Sequence, residues 1–258
     1  MILLADIGNS SIKIALADKK KLKKIYRMED IKGKSVSFFE KSLRAYFKKK
    51  NIKSSDIDVA CFCSVVPSLN NTFKKAVRQV AGCKVLVAGK DIPIAIKNKY
   101  KKPKEVGTDR LIDAVAAYNM FPGKNSIVVD FGTAITFDVI TSKGEYLGGL
   151  ILPGLQSSLK ALAASAELLP SVKLTSPKGF IGKDTRTSIE NGLIYATHYA
   201  CEGIIEKLKK KYGKDTGMVA TGGYAKLFKK LSKSINKVDN ELTLHGLRLN
   251  LEKNGVKL

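Results

Sequence analysis

Long apolar runs are missing from this chain of 258 residues, and the amino-terminal one, residues 1–5, stops at Asp6. That is far short of the roughly 20 residues of a spanning helix, and too short for the apolar part of a secretory signal. A cytoplasmic protein with no membrane partner is expected. Proline is scarce, at 7 residues, no long polar tract occurs, and 44% of residues are hydrophobic; together these exclude global disorder. Cysteine is sparse as well. Cys61, Cys63, Cys83 and Cys201 form no C-x-x-C pair and stand in segments that read as core strands and helices, which points to buried thiols and not to a metal centre. The two histidines, His198 and His245, lack metal-ligand spacing. No Ser-His-Asp arrangement, Walker A loop or dinucleotide fingerprint is present.

Acidic residues are half as many as basic ones, 23 against 46, for a net charge of +23. Such an excess raises the possibility of a nucleic-acid partner. Only six of the cations are arginine, however (Arg27, Arg44, Arg78, Arg110, Arg186 and Arg248), and arginine is the residue suited to base edges and bidentate phosphate contacts. The lysines fall in separated clusters, at 19–24, 48–53, 97–104, 207–214 and 226–233, at turns or on polar faces of amphipathic helices. A solvated lysine surface is the expectation, and no nucleic-acid partner is assigned.

A chain of this length can bury one large core or two of about 130 residues each. Two segments resemble each other: Ile2-Leu-Leu-Ala-Asp6-Ile-Gly8-Asn9-Ser10 and Ile127-Val-Val-Asp130-Phe-Gly132-Thr133-Ala134. Each reads as an apolar strand, an Asp-x-Gly turn and a second strand in which apolar residues alternate: Ile12, Ile14 and Leu16 in the first, Ile135, Phe137 and Val139 in the second. Their aspartates lie 124 residues apart, nearly half the chain, which suggests an internal duplication with one hairpin opening each half. Helices are expected around 37–50, 68–80, 155–166 and 188–212, and strands at 59–65, 84–88 and 218–220. A further helix begins at Gly107-Thr108-Asp109-Arg110, after a lysine-rich loop at 97–105. The division is drawn at 1–116 and 117–258, with the halves packed about a cleft.

A glycine after an aspartate in a tight turn lets backbone amides approach an anion, while the carboxylate suits a cation that bridges to phosphates. A single Asp-x-Gly is also an ordinary hairpin turn; two copies at half-chain spacing favour the site reading. Lys13, the only charge in its strand, suits a transferring phosphate or simply faces solvent. Thr108 or Asp109 could cap the helix; alternatively Asp109 accepts a proton from a hydroxyl nucleophile, with Arg110 gripping an anion. Thr221-Gly222-Gly223 either admits a flat base against its backbone or serves only as a helix-entry turn.

These residues identify the chain as resembling the type III pantothenate kinases, members of the actin-like, duplicated-domain ATPase superfamily. The matching blocks are Asp6-Ile-Gly-Asn9-Ser10 with Lys13, Ser64-Val-Val-Pro67, Gly107-Thr-Asp109-Arg110, Asp130-Phe-Gly-Thr-Ala134, Gly148-Gly-Leu-Ile-Leu-Pro153-Gly154 and Gly182-Lys-Asp-Thr185, with Thr221-Gly-Gly223 and a carboxy-terminal block from Val238 to follow. The resemblance implies an α/β fold of two duplicated actin-like (ribonuclease H-like) domains, with mixed sheets flanked by helices and a nucleotide cleft between them. It implies ATP-dependent phosphorylation of pantothenate to 4'-phosphopantothenate, the first step of coenzyme A synthesis, by a homodimer using Mg²⁺ and K⁺ or NH₄⁺. By position, Asp109 matches the general base and Asp6 the carboxylate at the Mg²⁺-phosphate site. Asn9, Lys13 and Thr133 match phosphate contacts, and Asp130 the carboxylate near the monovalent cation. Tyr100, Gly107, Arg110 and Thr185 match pantothenate contacts, and Gly222 and Gly223 the adenosine turn. Three positions depart from the family pattern: Ser10-Ser11 stands where some members carry Thr-His, and Asn240 where proline is usual. The rival readings are a same-fold phosphotransferase acting on another small alcohol and a non-catalytic, nucleic-acid-associated regulator.

Overall fold

A computed structural model describes residues 1–18, 21–165 and 172–256. Lys19 and Lys20 of the first lysine cluster, and residue 166 at the end of one expected helix, lie outside the described residues. The chain forms two compact units, Met1–Asn119 with Glu241–Leu258, and Met120–Asn240.

The first unit opens with β1 (Ile2–Ile7), β2 (Ser11–Ala17) and β3 (Leu22–Glu29). It continues with α1 (Val36–Lys49), β4 (Val59–Ser64), α2 (Pro67–Ala81), β5 (Lys84–Val87), the two-residue β6 (Lys97–Asn98) and α3 (Thr108–Met120). The second contains β7 (Ser126–Phe131), β8 (Ala134–Ile140), β9 (Glu145–Pro153), α4 (Leu155–Ala164), α5 (Thr185–Tyr212), β10 (Gly217–Thr221), α6 (Ala225–Leu231) and β11 (Lys237–Val238). The final helix, α7 (Leu242–Lys253), belongs to the first unit.

The first sheet runs β3-β2-β1-β4-β5, antiparallel as far as β1 and parallel from β1 to β5. The strands of the second unit follow the same plan, β9-β8-β7-β10-β11, with antiparallel and parallel pairings in the same places. The duplication extends to burial. In β1 and β7 alike every residue is buried except the aspartate one place from the end, and β2 and β8 share one alternating pattern.

β1 reads as an unbroken apolar run because both its faces are covered. Leu3, Ala5 and Ile7 pack with Phe39 and Leu43 of α1 and Phe73 and Val77 of α2. Ile2 and Leu4 point the other way, into a cluster with Ile112 of α3 and Leu244, Leu247 and Leu251 of α7. Local signals set the helix ends: the Ser35 hydroxyl accepts from Phe38 N at 3.3 Å before α1, and α2 starts on Pro67 and stops at Gly82, whose φ is +66°. α5 starts at Thr185, ahead of the expected 188, because Asp184 caps it by accepting from Thr187 N at 2.7 Å.

The division at 116/117 puts the carboxy-terminal residues in the second half, whereas α7 packs on β1, β2 and β4. Asn250 of α7 is fully buried; its Oδ1 accepts from Ala95 N at 2.7 Å and its Nδ2 donates to Pro93 O at 3.1 Å. In urea denaturation, Leu247→Ala should destabilise the first unit by about 2–5 kcal/mol, the usual cost of truncating a buried leucine; a loss below about 1 kcal/mol would contradict this role for α7.

Candidate active site

In the first unit the site begins with strand register. Asp6 lies directly opposite Lys13 on β2 and Cys63 on β4. Period two puts Asp6 on the same face of β1 as Ile2 and Leu4, the face covered by α3 and α7. The β1–β2 turn is closed by Gly8 N donating to Ser11 O at 3.0 Å, and leaves Asn9 exposed at its tip. The Cys63 thiol donates to Asp6 Oδ1 at 3.7 Å.

The start of α3 is fastened to the end of β4. Thr108 Oγ1 donates to Ser64 O at 3.0 Å and accepts from Ser64 N at 3.3 Å. Its hydroxyl is thus spent on the strand. Asp109 follows in the first turn, where its charge suits the helix dipole, and its Oδ1 accepts from Arg110 N at 2.7 Å. The carboxylate folds back over Gly107, at which a Cβ would lie 2.5 Å from Asp109 Oδ1. Asp6 and Asp109 repel. Burial first, and then the charge of Asp109, push the Asp6 carboxyl from its ordinary 3.8 up to about 6, against the opposing pull of Lys13, the Cys63 hydrogen bond and Arg27. Burial, followed by the charge of Asp6, also drives the Cys63 thiol well above its usual range.

In the second unit Asp130 takes the place of Asp6, with Thr136 opposite on β8 and Thr221 opposite on β10. The β7–β8 turn is one residue shorter; Gly132 N donates to Ala134 O at 3.1 Å. Thr133 is exposed in that turn, and its carbonyl accepts from Gly154 N at 3.2 Å and Ser157 Oγ at 2.8 Å. The turn after β10 lies hard against Asp130. Gly222 has a φ of +90°, and a Cβ there would sit 2.4 Å from Asp130 Oδ1 and 2.6 Å from Phe131 O. Glycine is required at this position for both reasons. Gly223 beside it is exposed.

The type III pantothenate kinase family profile matches residues 2–207. Over 254 residues the chain is 35% identical to the type III pantothenate kinase of Syntrophus aciditrophicus, covering 98% of this chain and 100% of that protein. It is 37% identical over 254 residues to that of Geotalea uraniireducens, with 98% and 99% covered. The chain belongs to the type III pantothenate kinase family. Solved structures share its fold at low identity. One, from Sinorhizobium meliloti, is assigned as a 2-dehydro-3-deoxygalactonokinase (10% identity, TM-score 0.60, 98% of this chain and 99% of that one). Another is the activator of 2-hydroxyisocaproyl-CoA dehydratase from Clostridium difficile with bound ADPNP (13%, TM-score 0.51, 98% and 93%). The duplicated actin-like α/β architecture expected from the sequence is therefore the architecture observed.

Against the pantothenate kinase pattern, the structure brings Lys13 and Asp109 each within electrostatic reach of Asp6. It sets Gly107 and Arg110 on either side of Asp109, and Gly222 against Asp130. Tyr100 is half-buried in the loop before α3, its N–H donating to Asn98 Oδ1 at 3.0 Å. Thr185 is exposed at the first position of α5 and takes no part in the Asp184–Thr187 capping box. Beside it lies a cavity of about 510 Å³ lined by Lys178, Lys183, Arg186, Glu190 and Asn191 among others. Glu190 is buried and accepts from Thr175 N and Oγ1, both at 2.6 Å, and Asn191 Nδ2 donates to Gly179 O at 3.0 Å. Sequence reasoning did not find these two, because one polar residue on a long helix carries no periodic signal. Cys63 was visible only as a core thiol. Among the described residues no helix is long and apolar enough to cross a membrane.

The raised carboxyl of Asp6 gives a signed expectation. Between pH 3.8 and about 6 the folded chain retains a proton that the unfolded chain has released, so charged Asp6 costs stability above that window and nothing below it. Asp6→Asn should therefore raise Tm by several degrees at pH 7.5 and leave it unchanged at pH 3.5 in thermal scans. An unchanged or lowered Tm at pH 7.5 would contradict the assignment.

Proposed function

We propose that this chain phosphorylates pantothenate with the β1–β2 hairpin holding the phosphates and Asp109 holding the acceptor hydroxyl. The activity itself follows from family membership: the chain is an ATP-dependent kinase of pantothenate, in coenzyme A biosynthesis, with ATP as substrate and a divalent metal. The observation that carries the assignment of residues is the Asp6–Lys13 cross-strand pair with Asp109 close enough to raise the Asp6 carboxyl.

In this reading the pantothenate 4'-oxygen attacks the γ-phosphorus in line, the bond to the bridging oxygen breaks, and ADP leaves. The hydroxyl proton passes to Asp109, which in a loose transition state orients the oxygen more than it activates it. Lys13 places a point charge, and Asn9 and Thr133 place donors, at the phosphates. Gly222 and Gly223 take the adenosine. Tyr100, Gly107, Arg110 and Thr185 contact pantothenate. Asp6 suits Mg²⁺, because a carboxylate that is costly to ionise beside Asp109 gains most from a neighbouring cation. Mg²⁺ supplies neutralisation of the triphosphate charge. Asp130, closely backed by the Gly222 turn, is the carboxylate for K⁺ or NH₄⁺. A cytoplasmic homodimer is part of the same reading, supported by the exposed apolar side chains of Phe180, Ile181 and Tyr199.

A coupled assay with ATP, Mg²⁺, K⁺ and pantothenate should give ADP and phosphopantothenate. Asp109→Asn should lower kcat by roughly 10²–10⁴-fold, the range of general acid–base catalysis, with little change in KM for ATP; full turnover in this variant would remove Asp109 from the role. Replacing K⁺ by Na⁺ should reduce the rate, and equal rates would overturn the role given to Asp130.

A further inference from the structure

The register that pairs Asp6 with Lys13 continues across the sheet. Lys13 lies directly opposite Arg27 on β3, so Arg27, Lys13, Asp6 and Cys63 form one row across four strands, all on one face. Strand spacing puts the Arg27 backbone about 10 Å from that of Asp6, within reach of a long side chain. Its charge is felt at Asp6.

Two cations directly opposite each other on neighbouring strands destabilise a sheet. Asp6 stands beside Lys13 in the row, and Glu29 lies two residues beyond Arg27 on the same strand. Glu29 Oε1 is 3.5 Å from Arg27 Nε, but both side chains are largely exposed, at 72% and 52%, and an exposed pair of this kind contributes little. β3 is otherwise an exposed edge strand, where an arginine has no packing reason to lie opposite the site lysine. A phosphate group lying over the row would meet both cations at once.

We propose that Arg27 is a second phosphate-binding cation of the nucleotide site, beside Lys13 and directed at the triphosphate of ATP. The inference rests on the hairpin reading above and adds a residue, on a third strand, that the hairpin motif does not contain. Arginine suits the position because its guanidinium fork presents two parallel donors to phosphate oxygens, where lysine offers a point charge.

The test is calorimetric titration of the full-length protein with MgATP and, separately, with adenosine, in wild type, Arg27→Gln, Arg27→Lys and Glu29→Gln. Arg27→Gln should raise the Kd for MgATP by about tenfold or more, the size of one charge-assisted hydrogen bond, while Kd for adenosine stays within about twofold. Arg27→Lys should recover part of the loss, and Glu29→Gln should leave MgATP binding unchanged. Equal losses for MgATP and adenosine, MgATP affinity retained in Arg27→Gln, or the same loss in Glu29→Gln would each overturn the proposal. Failure of the wild type to phosphorylate pantothenate would count against the functional reading, and the two titrations would still decide Arg27.

Discussion

The first unit is organised by the burial of β1 on both faces and the single place where that burial is broken. Helices α1 and α2 close one side of the strand, and α3 and α7 close the other. Asp6 therefore sits half-buried between those closed faces, with a second carboxylate, Asp109, close enough to be felt. A carboxylate in that setting is unstable by itself. Lys13 and Arg27, in register beside it, and the Cys63 thiol offset part of the cost. If the proposed metal-bound triphosphate lies here, the imbalance that remains is what it corrects, and stability given up in the free protein becomes affinity for the substrate.

The second unit repeats the frame with different chemistry. The same strand order, pairing directions and burial patterns recur, yet the residue opposite the aspartate is Thr136 where the first unit has Lys13, and Thr221 where it has Cys63. The turn glycine packed on Asp130 confines that carboxylate against backbone. One hairpin has thus kept charge along its row, and its copy has kept neutral hydroxyls.

Much of this was legible from the residues. The two Asp-x-Gly hairpins, the helix opened by the Gly107-Thr108-Asp109-Arg110 tetrad and most strands follow from alternation and turn chemistry. β3 was missed: its exposed, lysine-rich sequence lacks the apolar alternation that marks a half-buried strand, and such an edge is kept charged against unwanted pairing. Arg27 was missed with it, because the meaning of that residue lies in register and not in any motif. The position of α7 was equally hidden, since a stretch of sequence shows which face is apolar but not which sheet that face covers.

The most direct measurement is a ¹³C NMR titration of the Asp6 carboxyl in the free protein and in the presence of saturating MgATP. The midpoint should lie near 6 without nucleotide and fall into or below the ordinary carboxylate range once MgATP is bound. An Asp6 carboxyl that titrates at its ordinary value in the free protein, or that does not respond to MgATP, would contradict this.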